Sequence, residues 1–171
     1  MTRRARRHWL LKSEPDVYAY EALERDGRAR WDGVRNYTAR NHLRSMSPGD
    51  PFLFYHSSCP VPAVVGIGRV VSEPYPDPTQ FDCSSPWFDP RGSPEQPRWW
   101  SVDVEPIAAL PHPVTLAAIR ADPLLRAMLV AQPAGARLSV QPVERTHFTR
   151  VLRLGGLPAS VARGARTRPP S

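Results

Sequence analysis

Trp31-Asp32-Gly33-Val34-Arg35-Asn36, with Ala39-Arg40-Asn41 close behind, gathers an aromatic ring, a carboxylate, two guanidiniums and two amides into eleven residues. None of them falls on a catalytic spacing. The mixture suits a flat, hydrogen-bonding ligand beside a negative charge, such as a nucleobase with its phosphate. Trp31 admits two readings. Large aromatics mostly pack in cores, whereas the flanking Arg30 and Asp32-Gly33 suit a partly exposed ring in a turn. Asp32 and Asn36 also admit two. A carboxylate and an amide can read the edge of a base, or they can cap the helix that follows.

Outward from this stretch the chain reads as short elements. His8 to Lys12 is a first strand, broken at Ser13-Glu14-Pro15-Asp16. Tyr18 to Arg25 is a helix stopped by Gly27. Asn36 to Met46, with Tyr37, Leu43 and Met46 at helical intervals, is a second. Phe52 to His56 and Val64 to Val71 are β-rich runs separated by a proline-containing loop. Residues 74–98 hold seven prolines and form a long loop, of a length usually tied to function. Trp99 to Val104 alternates as a half-buried strand. Thr115 caps a short helix through Arg120, Leu138 to Val140 is a brief strand, and Pro142 to Leu152 is a final helix with proline in its first turn. The pattern predicts one α+β domain, a small, mostly antiparallel barrel or curved sheet of about five or six strands with flanking helices.

The net charge of +7 is confined to the ends. Residues 1–7 carry four arginines and residues 155–171 carry Arg163, Arg166 and Arg168, with no acid in either segment. These seven equal the whole excess, so the body 8–154 is balanced. The sequence thus divides into a basic tail 1–7, a domain 8–154 and a basic tail 155–171 expected to be disordered. Within the body, six arginines from Arg25 to Arg44 face only Asp26 and Asp32. Such a run is commonly a solvated face, but the interleaved Trp31 and Tyr37 favour contact with nucleic acid. Arg35 and Arg40 are the candidates for its backbone. No apolar run is long enough to span a membrane, no secretory signal is visible, and two cysteines without C-x-x-C spacing fit a reduced cytoplasm.

The chain resembles the EVE-domain family, a PUA-like fold related to the YTH readers of modified bases. The resemblance rests on Trp9-Leu10-Leu11-Lys12-Ser13-Glu14-Pro15, the Trp31–Asn41 stretch, Phe54-Tyr55-His56-Ser57-Ser58-Cys59, Val64-Val65-Gly66-Ile67, and Tyr75-Pro76-Asp77-Pro78 with Phe81. It extends through Pro97-Arg98-Trp99 with Val102-Asp103-Val104, and Arg137 to Pro142. Pro51 and Ala63 depart from the usual pattern. The resemblance implies a pocket that takes a modified base flipped out of its strand. Lys12 and Ser13 would line its rim and Trp31 would form one wall. Asp32, Val34 and Asn36 would supply edge contacts, and Tyr55, His56 and Ser57 would lie opposite. Trp87 and Phe88 are the aromatics available for a second wall. The implied function is non-enzymatic binding of nucleic acid, DNA or RNA, carrying a modified base such as methylated or hydroxymethylated cytosine.

An enzyme remains the alternative from another class, a small hydrolase or base-modifying activity using His56, Cys59 or Asp32. Nucleophilic catalysis needs a thiolate with a base in reach and a third group orienting it. Cys59 with Pro60 behind it also reads as an ordinary loop cysteine. Glu14 and Asp16 sit where acids favour a helix start, and the five histidines show no metal spacing. No cofactor is expected.

Overall fold

The computed structural model describes residues 4–163, so the outermost parts of both basic tails lie outside the described residues. The fold is mixed α+β: a six-strand, mostly antiparallel sheet curled into a half-barrel, with four α-helices. In chain order the elements are β1 (His8–Ser13), α1 (Tyr20–Asp26), β2 (Ala29–Trp31), α2 (Tyr37–Arg44), β3 (Pro51–His56) and β4 (Ala63–Val70). The two-residue β5 (Tyr75–Pro76), β6 (Trp100–Thr115), α3 (Leu116–Ala121), β7 (Val140–Val143) and α4 (Arg145–Leu154) follow. The strand order is β2-β6-β4-β3-β1-β7, with β5 pairing β6 to the side. Among the described residues only β1 and β3 pair in parallel.

The neighbouring strands β1 and β3 are largely apolar because both of their faces are covered. Alternation along a strand sends Trp9, Leu11, Phe52 and Phe54 to one face, where they pack with Tyr20 and Leu23 of α1 and Leu43 of α2. It sends Leu10, Leu53 and Tyr55 to the other, against Ile119 of α3 and Phe148, Val151 and Leu152 of α4. The buried indole N–H of Trp9 donates to Asp50 at 3.1 Å, which anchors β1 to the turn before β3.

Several local expectations hold to within a residue or two. Gly27 ends α1 in the left-handed region, at φ 71°, and its N–H donates to the Leu23 carbonyl. Thr115 caps α3 through a bond from the Ala118 N–H at 3.0 Å.

Others are corrected. Trp99 to Val104 was expected as a complete strand, but β6 continues to Thr115 through Pro106, Pro111 and Pro113. Proline cannot donate to a ladder, so it is tolerated where the register slips. The β4–β6 register shifts between Ile67 and Gly68, beside Pro106, and between Val64 and Gly66, opposite the segment holding Pro111 and Pro113. Pro142 does not open the last helix. It lies in the edge strand β7, opposite Trp9, and α4 starts three residues later. Residues 155–163, expected to be disordered, leave α4 in an ordered turn and end in a 3-10 helix over Ala159–Arg163. Leu157, Val161 and Ala162 there pack against the second core cluster.

Candidate nucleic-acid interface

At one end of the sheet, on the α1–α2 side, lies a cavity of about 370 Å³, within the range of ligand sites. Lys12 and Ser13 of β1 border it, with Val17 and Tyr18 from the turn before α1. Ala29, Arg30 and Trp31 of β2 and the turn residues Asp32, Gly33, Val34 and Arg35 continue the lining, and Trp87 and Ser139 complete it.

Trp31 is a core residue and a cavity residue at once. It is the last residue of β2, paired with Val102, not a turn residue. It is only 9% exposed. Its ring meets Phe54 edge-on, with centroids 5.6 Å apart, and Phe52 at 6.4 Å. The indole N–H groups of Trp9 and Trp99 donate to Asp50 and Asp89, whereas that of Trp31 has no partner among the described residues. The Trp31 nitrogen is not fully enclosed, since the buried side-chain atom left without a partner among the described residues is Arg98 Nε.

The second aromatic at the cavity is Trp87, which is 44% exposed. Its ring lies over Gly33, where a Cβ would fall 2.8 Å from Cε2. Gly33 also has φ 75°, so only glycine suits both the turn and the approach of the ring. The long proline-rich loop is held rigidly here. Asp77, fully buried, accepts from the Gly33 N–H at 2.8 Å, from Arg35 Nη1 at 2.9 Å and from the Thr79 N–H at 2.8 Å. Burial pushes its carboxyl pKa up, and the bonds from Thr79, Gly33 and Arg35 outweigh that and hold it below the usual value. Gln80 uses both ends of its amide, donating to the carbonyls of Asp77 and Trp99 and accepting from the N–H groups of Arg98 and Trp99.

Arg35 is a strut in this arrangement. Its guanidinium donates to Val34 O, Asp77, Thr79 and twice to Trp87 O, the shortest at 2.6 Å. All five of its N–H groups are engaged, which leaves none for the phosphate contact expected from the sequence. Three more arginines of the 25–44 run pair with acids: Arg25 with Asp26, Arg28 with Asp103, and Arg30 with Asp32 at 2.9 Å. Arg40 lies over the Tyr37 ring and keeps donors beyond its bonds to Asn41 and Arg98 O.

Lys12, Ser13, Trp31, Asp32, Val34 and Trp87 therefore come together, and the rest of the expected set does not join them. Asn36 takes its capping role, accepting from the Ala39 N–H at 3.0 Å. Tyr55 and Ser57 line a separate cavity that shares only Lys12 with the first. Phe88 is exposed and borders neither. Tyr18, Arg30 and Ser139 line the cavity without having been singled out. Tyr18 reads as the start of a helix, and Ser139 reaches the site only because β7 pairs with β1 from the far end of the chain.

His56 is structural. Its Nε2 accepts from the Tyr20 N–H at 3.2 Å, Cys59 Sγ donates to the His56 carbonyl, and Asp32 lies in the other cavity. The residues of the enzyme alternative are thus not assembled. Burial lowers the His56 pKa, with Glu21 partly opposing, and burial is also the main cause of the lowered values at His8 and His42. As pH falls below about 6.5, the unfolded chain takes up protons that the folded one resists, so stability is expected to fall on the acid side. Thermal melts at about pH 7.5 and about pH 5.5 check this. His56→Asn should shallow the slope, and an unchanged slope would assign the loss to other groups.

A curled, mostly antiparallel half-barrel with flanking helices is the fold that the sequence resemblance implied. The chain belongs to the EVE domain family, whose profile matches residues 7–154. It is 36% identical to thymocyte nuclear protein 1 of Homo sapiens over 167 residues, covering 86% of this chain and 73% of that protein. A crystal structure of a Pseudomonas putida protein superposes with a TM-score of 0.83 at 44% identity, covering 86% of this chain and 99% of the other. The human THYN1 protein in complex with 5-methylcytosine-containing DNA superposes with a TM-score of 0.82 at 36% identity, covering 88% and 98%. A YTH domain from Zygosaccharomyces rouxii, 14% identical with a TM-score of 0.51, shares the fold. Among the described residues no helix is long and apolar enough to cross a membrane.

Proposed function

We propose that this protein binds nucleic acid carrying a modified base, foremost DNA with 5-methylcytosine, and holds that base in the cavity between Trp31 and Trp87. The observation that carries the reading is the cavity itself. It joins two indoles to polar groups at its rim, Lys12, Ser13 and Asp32, in a volume of about 370 Å³. The likeness to a relative whose structure holds 5-methylcytosine-containing DNA supports the choice of base. Stacking would supply affinity and the polar rim would supply identity. Arg40, on the α2 surface, is the remaining candidate of the original pair for a backbone phosphate.

An affinity panel tests this. Oligonucleotides bearing 5-methylcytosine, 5-hydroxymethylcytosine or methylated adenine are each compared with their plain counterparts. Trp87→Ala is expected to weaken the preferred oligonucleotide by roughly 1–3 kcal/mol with little change in melting temperature, because Trp87 is exposed. Asp32→Ala should instead narrow the preference between bases. Equal affinity for modified and plain oligonucleotides in the intact protein refutes the proposal.

A further inference from the structure

The second cavity, about 340 Å³, opens at the same end of β1 and β3 but on the other face of the sheet. Lys12 and Tyr55 are register partners, so their side chains share that face. Arg120 of α3 and the hydroxyls of Ser57 and Ser58 line the cavity with them, and no acidic residue does. Tyr55 is 3% exposed, yet its hydroxyl has no hydrogen-bond partner among the described residues. Arg120 and both serine hydroxyls are without a partner as well. The Tyr55 hydroxyl is not among the fully enclosed unpartnered atoms, so it opens onto the cavity. A phenol donor facing out beside two cations and two serine hydroxyls, with no acid in the lining, points to a ligand that accepts hydrogen bonds and carries negative charge. Lys12 Nζ donates to the carbonyls of Gly135 at 2.8 Å and Ala136 at 3.3 Å, which keeps one of its three N–H groups in reserve.

We propose that this cavity binds a phosphate group, with Lys12 and Arg120 supplying charge and Tyr55, Ser57 and Ser58 supplying directional hydrogen bonds. A tetrahedral oxyanion offers three or more acceptor oxygens, which matches a ring of donors with no acceptor of its own charge type. The shared Lys12 places the phosphate next to the base cavity. One source is therefore the backbone of a strand whose base occupies the first site. The other is a free phosphate-bearing molecule. The strand as source rests on the base-binding reading above; the phosphate site does not.

The test uses the full chain. Inorganic phosphate, at constant ionic strength with chloride as control, is expected to raise the melting temperature saturably by mass action. Tyr55→Phe should fold at least as well as the parent, because it removes a hydroxyl with no partner, and it should weaken phosphate about tenfold, as should Arg120→Gln. Phosphate acting no better than chloride overturns the site, and so does an undiminished effect in both variants. In a second arm, the 5-methylcytosine oligonucleotide is compared with the nucleoside 5-methyldeoxycytidine. If the strand is the source, both variants weaken the oligonucleotide and leave the nucleoside unchanged, and Arg120→Gln, which removes a charge, also reduces the slope of log affinity against log salt by about one. A phosphate effect without an oligonucleotide effect assigns a free phosphate-bearing molecule. Failure of the parent to bind any oligonucleotide removes the base-binding reading and leaves the inorganic phosphate result standing.

Discussion

Replacing Trp31 with alanine is expected to lower stability by about 3–5 kcal/mol, a drop in melting temperature on the order of 10 °C for a domain of this size. The ring is almost fully buried and packs edge-on against Phe54 and at a tilt against Phe52, as a member of the first core cluster. Loss of binding in Trp31→Ala therefore cannot by itself assign a stacking role. Trp31→Phe is the informative partner. It keeps most of the apolar contact and shortens the surface offered to the cavity, so it should stay folded while affinity for the modified oligonucleotide falls. Scanning calorimetry on both variants, beside the binding panel, checks the expectation. A melt unchanged in Trp31→Ala would remove the ring from the core.

The second large effect is expected at Asp77. Asp77→Ala strips Arg35, whose side chain is 18% exposed, of its ion-pair partner. It also leaves the Gly33 N–H without an acceptor. Breaking a buried pair from one side commonly costs about 3–5 kcal/mol, because the other charge is left stranded. The partial exposure of Arg35 puts this case towards the lower figure. The same substitution frees the loop that carries Trp87, so its fluorescence should shift and modified-base affinity should fall further than in Trp87→Ala. Arg35→Gln should reproduce most of both effects, and the double variant should be much less than additive. Additive losses would show that the two residues act separately.

The particulars of these two residues show what was legible in the sequence. The α+β class, the central apolar strands and the caps at Gly27 and Thr115 follow from local chemistry: periodicity, β-branching, a left-handed glycine, a threonine before a helix. Trp31 was ambiguous because β2 is three residues long, and its strand character exists only through pairing with β6. Arg35 looked like a free cation because its partners, Asp77, Thr79 and Trp87, are more than forty residues away. The prolines of β6 imitate a strand end, and only the register slips against β4 reveal how they are accommodated. Tyr55 and Ser57 fell on the far side of the sheet for a simple reason. Alternation along β3 turns Phe54 and Tyr55 to opposite faces, and a contiguous motif does not declare which face a site uses.

The place of β1 between β3 and β7 has a consequence for the order in which the cavities form. Its two neighbours are β3 and β7, and Lys12 meets the carbonyls of Gly135 and Ala136 across separations of 123 and 124 residues. Both cavities contain Lys12, so neither exists on a nascent chain until β7 has left the ribosome. Long-range closure of this kind forms late. A partly synthesised chain thus carries the core-forming strands without either finished cavity.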